Sequence, residues 1–379
     1  MSIKKVLLIL FILVLPSKIF GEATVKKDNH QLNLFIGNFD FSDDKQKAIL
    51  LGFQHQDENL NRDTFIGNVS PITGALSSGF LLFGISMVYF DTGSFYFQAL
   101  NNYSYLSEIG LSLILISLFF KVSAAPFHIW TPDVYEGSPT ISALFFASLP
   151  KFASLIFLFR IYHELNISEI DSLYYIFQIV CAISLLVGVY GAITQKIIKR
   201  LLAFSSINHV GFILLGIMSY ELMSEGTIFF YLIIYLITIF GIFTVILNLR
   251  SSEGELTKIS ELNGLRFSSR LKSIAMLVFL FSLAGIPPFA GFFAKFFILS
   301  ASINEGLYVL SIIAVISSVI AAFYYLSVIK NMFFNNKEEE LLLDNNKIGS
   351  VVFISSALIL TLFFFYPDPL INLVDGLFS

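Results

Sequence analysis

From about residue 71 to residue 366 the chain alternates long apolar runs with short polar stretches. A membrane span needs roughly 20 apolar residues. About nine runs meet that length, at 71–90, 107–130, 139–162, 171–195, 200–220, 226–249, 272–300, 305–330 and 348–366. Two of them are overlong and carry internal prolines, Pro126 in the second and Pro287–Pro288 in the seventh. Proline lacks an amide donor and crowds the preceding turn, so both read as broken helices. The pattern predicts an all-α polytopic membrane protein, with the membrane domain over 69–379 and a polar extension over 1–68.

Alternation sorts the loops into two sets. One set comprises the segment before the first helix, then 131–138, 196–199, 250–271 and 331–347. It carries Lys196, Lys199, Arg250, Lys258, Arg266, Arg270, Lys337 and Lys347, with Arg200 at a helix edge. The other set comprises 91–106, 163–170, 221–225, 301–304 and the C-terminus. Its charges include Asp91, Glu164, Glu169, Glu221 and Glu225, and it holds neither Lys nor Arg, with Arg160 near a helix end the one nearby exception. The positive-inside rule places the first set in the matrix or cytoplasm and the C-terminus on the far side. One missed span would scramble this division, so it also supports the count.

Composition agrees. The 379 residues are 56% apolar and 13% charged, with a mean hydropathy of +0.80; soluble domains carry about 25% charged residues. The net charge of −4 and the lack of a basic stripe exclude a nucleic-acid surface. Cys181 is the one cysteine, so an intrachain disulfide or an iron–sulfur cluster is excluded. It sits in an apolar run and reads as a packed small hydrophobe. The 43 Phe against 23 Gly and 10 Pro resemble AT-rich coding, common in organellar genomes.

The N-terminal residues are harder to assign. Lys4 and Lys5 precede a short apolar run ended by Pro16, the pattern of a signal-peptide core, a short span or an interfacial helix. Residues 21–68 are polar and read as a loosely ordered segment outside the bilayer.

Within the spans few ionisable groups remain. Lys121 stands near the middle of its predicted helix, Lys151 near the centre of FFASLPKFASLIFLF, and Lys295 beyond the second break in AGIPPFAGFFAKFF. A lysine at the bilayer centre costs about 2.5–3.5 kcal/mol. Desolvation disfavours the charged form of such an amine, and an amine that can shed a proton can relay one. Snorkelling to the headgroups is the competing reading, strongest for Lys295. The two breaks would free backbone groups that only a lined cavity tolerates, which makes water wires between lysines possible.

His128, just after the first break, is a candidate bridge or a hydrogen-bonded spacer. His209, beside Ser205, Ser206 and Asn208, marks a hydrated patch or a relay. Asp133 and Glu136 read as capping or solvated loop residues, and Tyr324 and Tyr325 as interface or packing residues. No dinucleotide fingerprint, Walker loop, paired-His metal spacing or Ser/His/Asp arrangement is present. The chain is therefore expected to carry no cofactor or redox centre of its own.

At this point a resemblance emerges. FKVSAAPFHIWTPDVYEGSPT, LPKFASL, KRLLAFSSINHVGFILLG and SLAGIPPFAGFFAKFF, in that order, resemble the antiporter-like proton-channel family of respiratory complex I. Within it they look like NADH dehydrogenase subunit 2, subunit N in bacteria. The resemblance runs from about residue 71 to the C-terminus. It implies fourteen helices in two inverted five-helix repeats, each with one broken helix. It also implies roles: Lys121 as the lysine of the first broken helix, Lys151 as the central lysine, and Lys295 as the lysine of the second broken helix near the exit. His128 and His209 then become members of the hydrated axis.

There is one departure. The family sets a glutamate, on the helix preceding 71–90, against the first lysine. No long apolar run with such a residue precedes residue 71. Either a separate polypeptide supplies those helices and the glutamate, as in a split subunit, or the chain is a degenerate scaffold. Retention of three lysines and two breaks favours the split. The resemblance thus implies a proton-translocating subunit of NADH:ubiquinone oxidoreductase in the mitochondrial inner membrane. Other complex I membrane subunits and lipids would be its partners. The alternatives are a cation/proton antiporter subunit of the same fold and a non-pumping scaffold.

Overall fold

The computed structural model describes residues 31–37, 50–56, 63–94, 104–219, 225–251, 254–336, 342–343 and 347–363. The apolar run near residue 10, the glutamate-rich loop at 337–340 and the C-terminal tail lie outside them. Two compact units divide between Thr73 and Gly74. In the first, strands β1 (Gln31–Gly37) and β2 (Leu50–Gln56) pair antiparallel, Leu34 opposite Phe53. This pairing departs from the loosely ordered segment expected at 21–68. The stretches LNLFI and LLGF are short apolar runs bounded by polar ones, which suits strands rather than a span.

The second unit is helical: α1 (Asp63–Thr92, which starts in the first unit), α2 (Tyr105–Val122), α3 (Trp130–Gly137), α4 (Thr140–Ala147), α5 (Leu149–Glu164), α6 (Asp171–Ile193), α7 (Ile198–Met218) and α8 (Glu225–Leu247). After the short strands β3 (Leu249–Ser251) and β4 (Gly254–Glu255) come α9 (Leu265–Ser268), α10 (Arg270–Ala284), α11 (Ala290–Asn304) and α12 (Tyr308–Phe334). Strand β5 (Leu342–Leu343) and helix α13 (Lys347–Leu362) complete it. Each of the nine expected spans has its counterpart here. The second is α2 with the turn that follows it, the third is α4 with α5, and the seventh is α10 with α11; the expected loop at 131–138 is instead the short helix α3. Among the described residues seven segments are long and apolar enough to cross a membrane.

The first break falls earlier than expected. Helix α2 ends at Val122, and Ser123 adopts the left-handed conformation with φ 63°. Lys121 therefore stands in the last turn, not mid-helix. The second break repeats the design: α10 ends at Ala284 and Gly285 is left-handed with φ 78°. Each end is tied off in the same way. The Ala124 amide donates to the Phe119 carbonyl at 2.9 Å, and the Ile286 amide to the Phe281 carbonyl at 3.0 Å. This six-to-one bond satisfies a carbonyl that the helix end would orphan.

A third interruption was not expected. Ser148 has φ −113° and ψ −92° and separates α4 from α5, with Pro150 in the first turn of the new helix. Proline cannot donate to the preceding turn; the Ser148 amide turns to the Phe145 carbonyl at 3.2 Å, and Ser148 Oγ donates to the Leu144 carbonyl that its amide gives up, at 2.6 Å.

Helix α7 is the spine: 94% of the membrane-length window it supplies is buried. It lies against α6 through glycines. A Cβ at Gly188 would sit 2.5 Å from the Asn208 amide nitrogen, and one at Gly191 would sit 2.2 Å from the Phe204 ring. Small residues let two backbones approach where lipid supplies no hydrophobic drive between helices. Cys181 belongs to this contact, fully buried, with Sγ 3.3 Å from the Gly211 carbonyl.

The loops assigned to the positive side meet at one end. Arg200 pairs with Asp133 at 2.8 Å and with Glu136 at 2.6 Å. Both acids are thus partners of Arg200, more than the capping or solvated residues expected of them. Lys199 donates to the Ser138 carbonyl at 2.9 Å and pairs with Glu255 at 3.1 Å. The Gly264 amide reaches the Asn331 carbonyl at 3.1 Å. At the other end Asp91 accepts from Ser104 and Ser107, and Glu108 accepts from Ser172.

Two predictions follow from these contacts. Gly188→Val forces a side chain into the Asn208 backbone, so it should destabilise the α6–α7 pair by about 1–3 kcal/mol or more; a thermal melt in detergent measures this. Burial pushes the Glu255 carboxyl up, but the Thr140 hydroxyl and amide and the Lys199 ammonium outweigh it and hold it below its ordinary 4.5. A carboxyl lowered on folding contributes stability above its unfolded pKa and loses it as pH falls through the folded value. Between about pH 5 and about pH 3 the wild type should therefore lose more thermal stability than Glu255→Gln.

Candidate functional site

The three lysines all flank interruptions, but the structure treats them differently. Lys151 is the third residue of α5 and 2% exposed; Lys295, six residues into α11, is 4% exposed. Lys121 is exposed and, among the described residues, forms no hydrogen bond or ion pair. Of the three lysines expected at depth in the membrane, two are enclosed by this chain's own helices. Lys121 stands on the uncovered side of the last turn of α2, whose other side chains Leu118, Phe119 and Val122 are buried; the neighbouring α1 is itself open, with only 17% of its span buried.

Helix α7 joins the other two. The Lys151 ammonium donates to Ser206 Oγ at 2.9 Å, and Ser206 Oγ donates on to the Ala203 carbonyl at 2.7 Å. The buried hydroxyls of Tyr135 and Tyr235 approach the same serine without a well-formed hydrogen bond. One turn on, His209 packs against the Tyr235 ring with centroids 5.2 Å apart. Its Nδ1 is 2.7 Å from the Tyr231 hydroxyl and its Nε2 is 3.4 Å from the Tyr325 hydroxyl. Ser205 Oγ bonds Tyr325 from the same helix face. A cavity of about 10 Å³ lies between His209, Thr238, Ser282, Gly291 and Lys295. That is near the threshold for holding one water.

The second break builds the far end. The Lys295 ammonium donates to the Ala284 carbonyl at 3.3 Å, a carbonyl that the end of α10 leaves over, and to Ser318 Oγ at 3.2 Å. It also sits 5.0 Å above the Phe212 ring, a favourable cation–π distance. The Gly291 amide donates to Ser282 Oγ at 3.2 Å. A Cβ at Gly291 would lie 1.9 Å from the Ser282 carbonyl, so the half-helices meet only through glycine. At the first break the Ala125 amide donates to Ser184 Oγ at 2.8 Å, and the Trp130 indole to the Phe120 carbonyl at 3.1 Å. Protein groups answer most of the backbone freed by the breaks; open water-lined space was the expectation.

Among the described residues His128 forms no hydrogen bond with a lysine. Its ring packs 6.3 Å from Phe204, and its buried Nδ1 has the Pro126 backbone beside it without a well-formed hydrogen bond. The turn over 125–129 carries it towards the α7 face that bears Phe204, away from Ser206. Tyr325 departs the other way: read as an interface or packing residue, it is fully buried at the axis. Tyr231, Tyr235 and Ser318 were missed, since a hydroxyl in an apolar run has no linear signal of its own. Lys272 was missed as well; it is 5% exposed and donates to the Asn248 carbonyl at 2.6 Å. Among the described residues no cluster of His, Cys, Asp and Glu has metal-site geometry.

Chemically the site is a file of proton donors and acceptors, with two amines and one imidazole separated by hydroxyls. Hydroxyls donate and accept at once, so they can pass a proton without storing charge. Ser206→Ala should leave a buried ammonium donor without its acceptor and cost about 1–3 kcal/mol. A double-mutant cycle with Lys151→Met, read by thermal melts, should assign most of that loss to the pair.

Comparison with known proteins places this arrangement. Residues 50–321 match the family model described as NADH:quinone oxidoreductase/Mrp antiporter, TM. NADH-quinone oxidoreductase subunit N of Hirschia baltica is 45% identical over 251 residues, which are 66% of this chain and 53% of that protein. The subunit N of Pelagibacter ubique is 36% identical over 328 residues, 84% of this chain and 68% of that one. The chain spans about half the length of the curated relatives it matches first, 53% and 56%. Among solved structures, a chain of respiratory complex I from Thermus thermophilus with bound Aureothin superposes with a TM-score of 0.72 at 29% identity, over 83% of this chain and 69% of that one. A chain of the Mrp complex from Dietzia sp. DQ12-45-1b gives 0.72 at 20% identity, over 83% and 67%, a likeness of fold.

Proposed function

Because the chain belongs to the NADH:quinone oxidoreductase/Mrp antiporter family of membrane subunits, we propose that it is a proton-translocating membrane-arm subunit of respiratory complex I. The observation that carries this reading is the buried file Lys151–Ser206, His209 and Lys295 along one helix. Buried charge of this kind is expensive and marks ion pathways in membrane proteins. The names of the relatives, subunits N of NADH-quinone oxidoreductases, support the complex. The chain itself acts as a non-redox part of that enzyme and binds no cofactor of its own.

In this mechanism redox energy released elsewhere changes the charge beside Lys121. A proton moves onto Lys151, passes by Ser206 and His209, and leaves from Lys295. Lys121 requires a neighbour, because an exposed ammonium on a membrane helix is costly unless covered. The covering group we infer is a carboxylate on a separate chain, packed on the outward face of α1 and α2. Other membrane-arm subunits and lipid complete the surroundings. The membrane is an energy-coupling one: the Phe-rich composition supports the mitochondrial inner membrane, and the bacterial sources of the relatives support its bacterial equivalent. The C-terminus is assigned to the side opposite the lysine-rich loops on loop charge.

The shared fold keeps a second reading open, a subunit of a cation/proton antiporter. Two variants decide. Lys151→Ala and Lys295→Ala, each in the assembled complex, should reduce proton translocation by about tenfold or more while assembly on native gels persists. A wild-type proton yield per NADH in both variants would favour a scaffold. Sodium-dependent exchange without NADH oxidation would identify the antiporter.

A further inference from the structure

A second and larger cavity, of about 310 Å³, opens at the lysine-rich end, between the C-terminal end of α6, the loop after β4 and the last turns of α12. Its mouth is polar: Gln195, Lys196, Lys258 and Asn331 line it, and both lysines are exposed. At about 30 Å³ per water it has room for roughly ten molecules. Its inner wall includes Tyr324, which is 3% exposed and whose buried hydroxyl has no well-formed hydrogen bond in the structure.

What stands behind Tyr324 makes this cavity more than a surface dent. The Tyr324 and Tyr325 rings lie 4.4 Å apart at 56°. Tyr325 is bonded to Ser205 and reaches His209 Nε2 at 3.4 Å. His209 in turn borders the small cavity that holds Lys295. Polar groups therefore run from the lysine-rich surface to the middle of the buried file, and Tyr324 is where the wide part ends. The Tyr324 hydroxyl approaches the Tyr325 and Ser205 hydroxyls without a well-formed hydrogen bond, which sets it between the polar-mouthed cavity and the buried file.

We propose that this vestibule is the aqueous port by which protons reach His209, with Tyr324 as its inner gate. The inference rests on the proton-translocating reading and specifies the route that reading leaves open. Each transfer conserves protons. A hydronium in the vestibule gives a proton to the Tyr324 oxygen, while the Tyr324 hydroxyl proton passes to Tyr325 or Ser205, and the next hydroxyl proton goes to His209 Nε2. Rotation of the hydroxyls restores the starting state. The gate is a phenol and the mouth carries two ammonium groups, so the port offers metal cations no carboxylate to bind.

Two measurements on the assembled complex test this. Tyr324→Phe keeps the ring and removes only the hydroxyl, and it should slow proton translocation by about tenfold. Ser327→Cys places a thiol on the exposed cavity wall, in a chain whose natural Cys181 is buried. A membrane-impermeant thiol reagent should label it, as read by peptide mass spectrometry, only from the side of the lysine-rich loops, and the adduct should slow translocation. Wild-type rates in Tyr324→Phe, with Lys151→Ala and Lys295→Ala still impaired, would overturn the port and leave the function standing. Labelling by lipid-soluble reagents alone would also overturn it, and would make the cavity a lipid cleft. If Tyr324→Phe fails to assemble, the Ser327→Cys adduct decides alone. Wild-type translocation in every variant would overturn both the port and the function.

Discussion

Two ammonium groups buried among apolar helices set the terms for this protein. Lys151 and Lys295 are each almost fully enclosed, and neither has a carboxylate partner among the described residues. Each is held instead by neutral acceptors: a serine hydroxyl for Lys151, and a leftover carbonyl, a serine and an aromatic face for Lys295. Neutral acceptors solvate a charge without fixing it, as a carboxylate would. The site can therefore gain or lose a proton without an opposing charge left behind. The burial of α7 follows from this need, because that helix carries Ser205, Ser206 and His209 between the two amines and must be shielded on every side.

The helix interruptions serve the same end. A continuous helix spends its carbonyls on its own amides. Ending α10 at Gly285 leaves the Ala284 carbonyl to the Lys295 ammonium, and ending α2 at Ser123 leaves the Phe120 carbonyl to the Trp130 indole. The jog at Ser148 places Lys151 in the first turn of a new helix, opposite Ser206. Glycine is required where the half-helices cross, since Gly291 lies against the Ser282 carbonyl. Protein groups hold many of these atoms, and among the described residues the vestibule at the lysine-rich end has room for water while the small cavity beside Lys295 lies near the limit for one molecule.

The two ends of the bundle differ in how they are tied. The lysine-rich end is knit by ion pairs, Arg200 with Asp133 and Glu136 and Lys199 with Glu255, which brace α3 and α4 against α7. The opposite end uses serines on carboxylates. The least enclosed part is α1 with the outer face of α2. Helix α1 meets α2 through Ser77 on Ser117 and the Gly84–Gly110 crossing, and α2 carries Lys121 outward. Helices this open in a membrane chain are covered by lipid or by protein, and a lysine among them argues for protein.

Much of this was legible in the linear chain. Run length and loop charge determine the spans and their alternation, since the bilayer fixes how many apolar residues cross it and each loop must emerge on one side or the other. The prolines mark two interruptions, and three lysines inside apolar runs mark the chemistry. The third interruption was written at Pro150 but passed over inside a run long enough to read as one helix. Other features depend on packing. Whether Lys121 is enclosed depends on which helices cover α2. That His128 faces Phe204 depends on the turn over 125–129. That Tyr325 joins His209 depends on how α12 lies on α7, because a tyrosine in an apolar run looks the same whether its hydroxyl meets lipid, headgroup or histidine. The sequence alone set which charges enter the membrane; the tertiary structure decided which of them meet, because contact between residues more than a hundred positions apart is a property of helix packing and leaves no periodic trace along the chain.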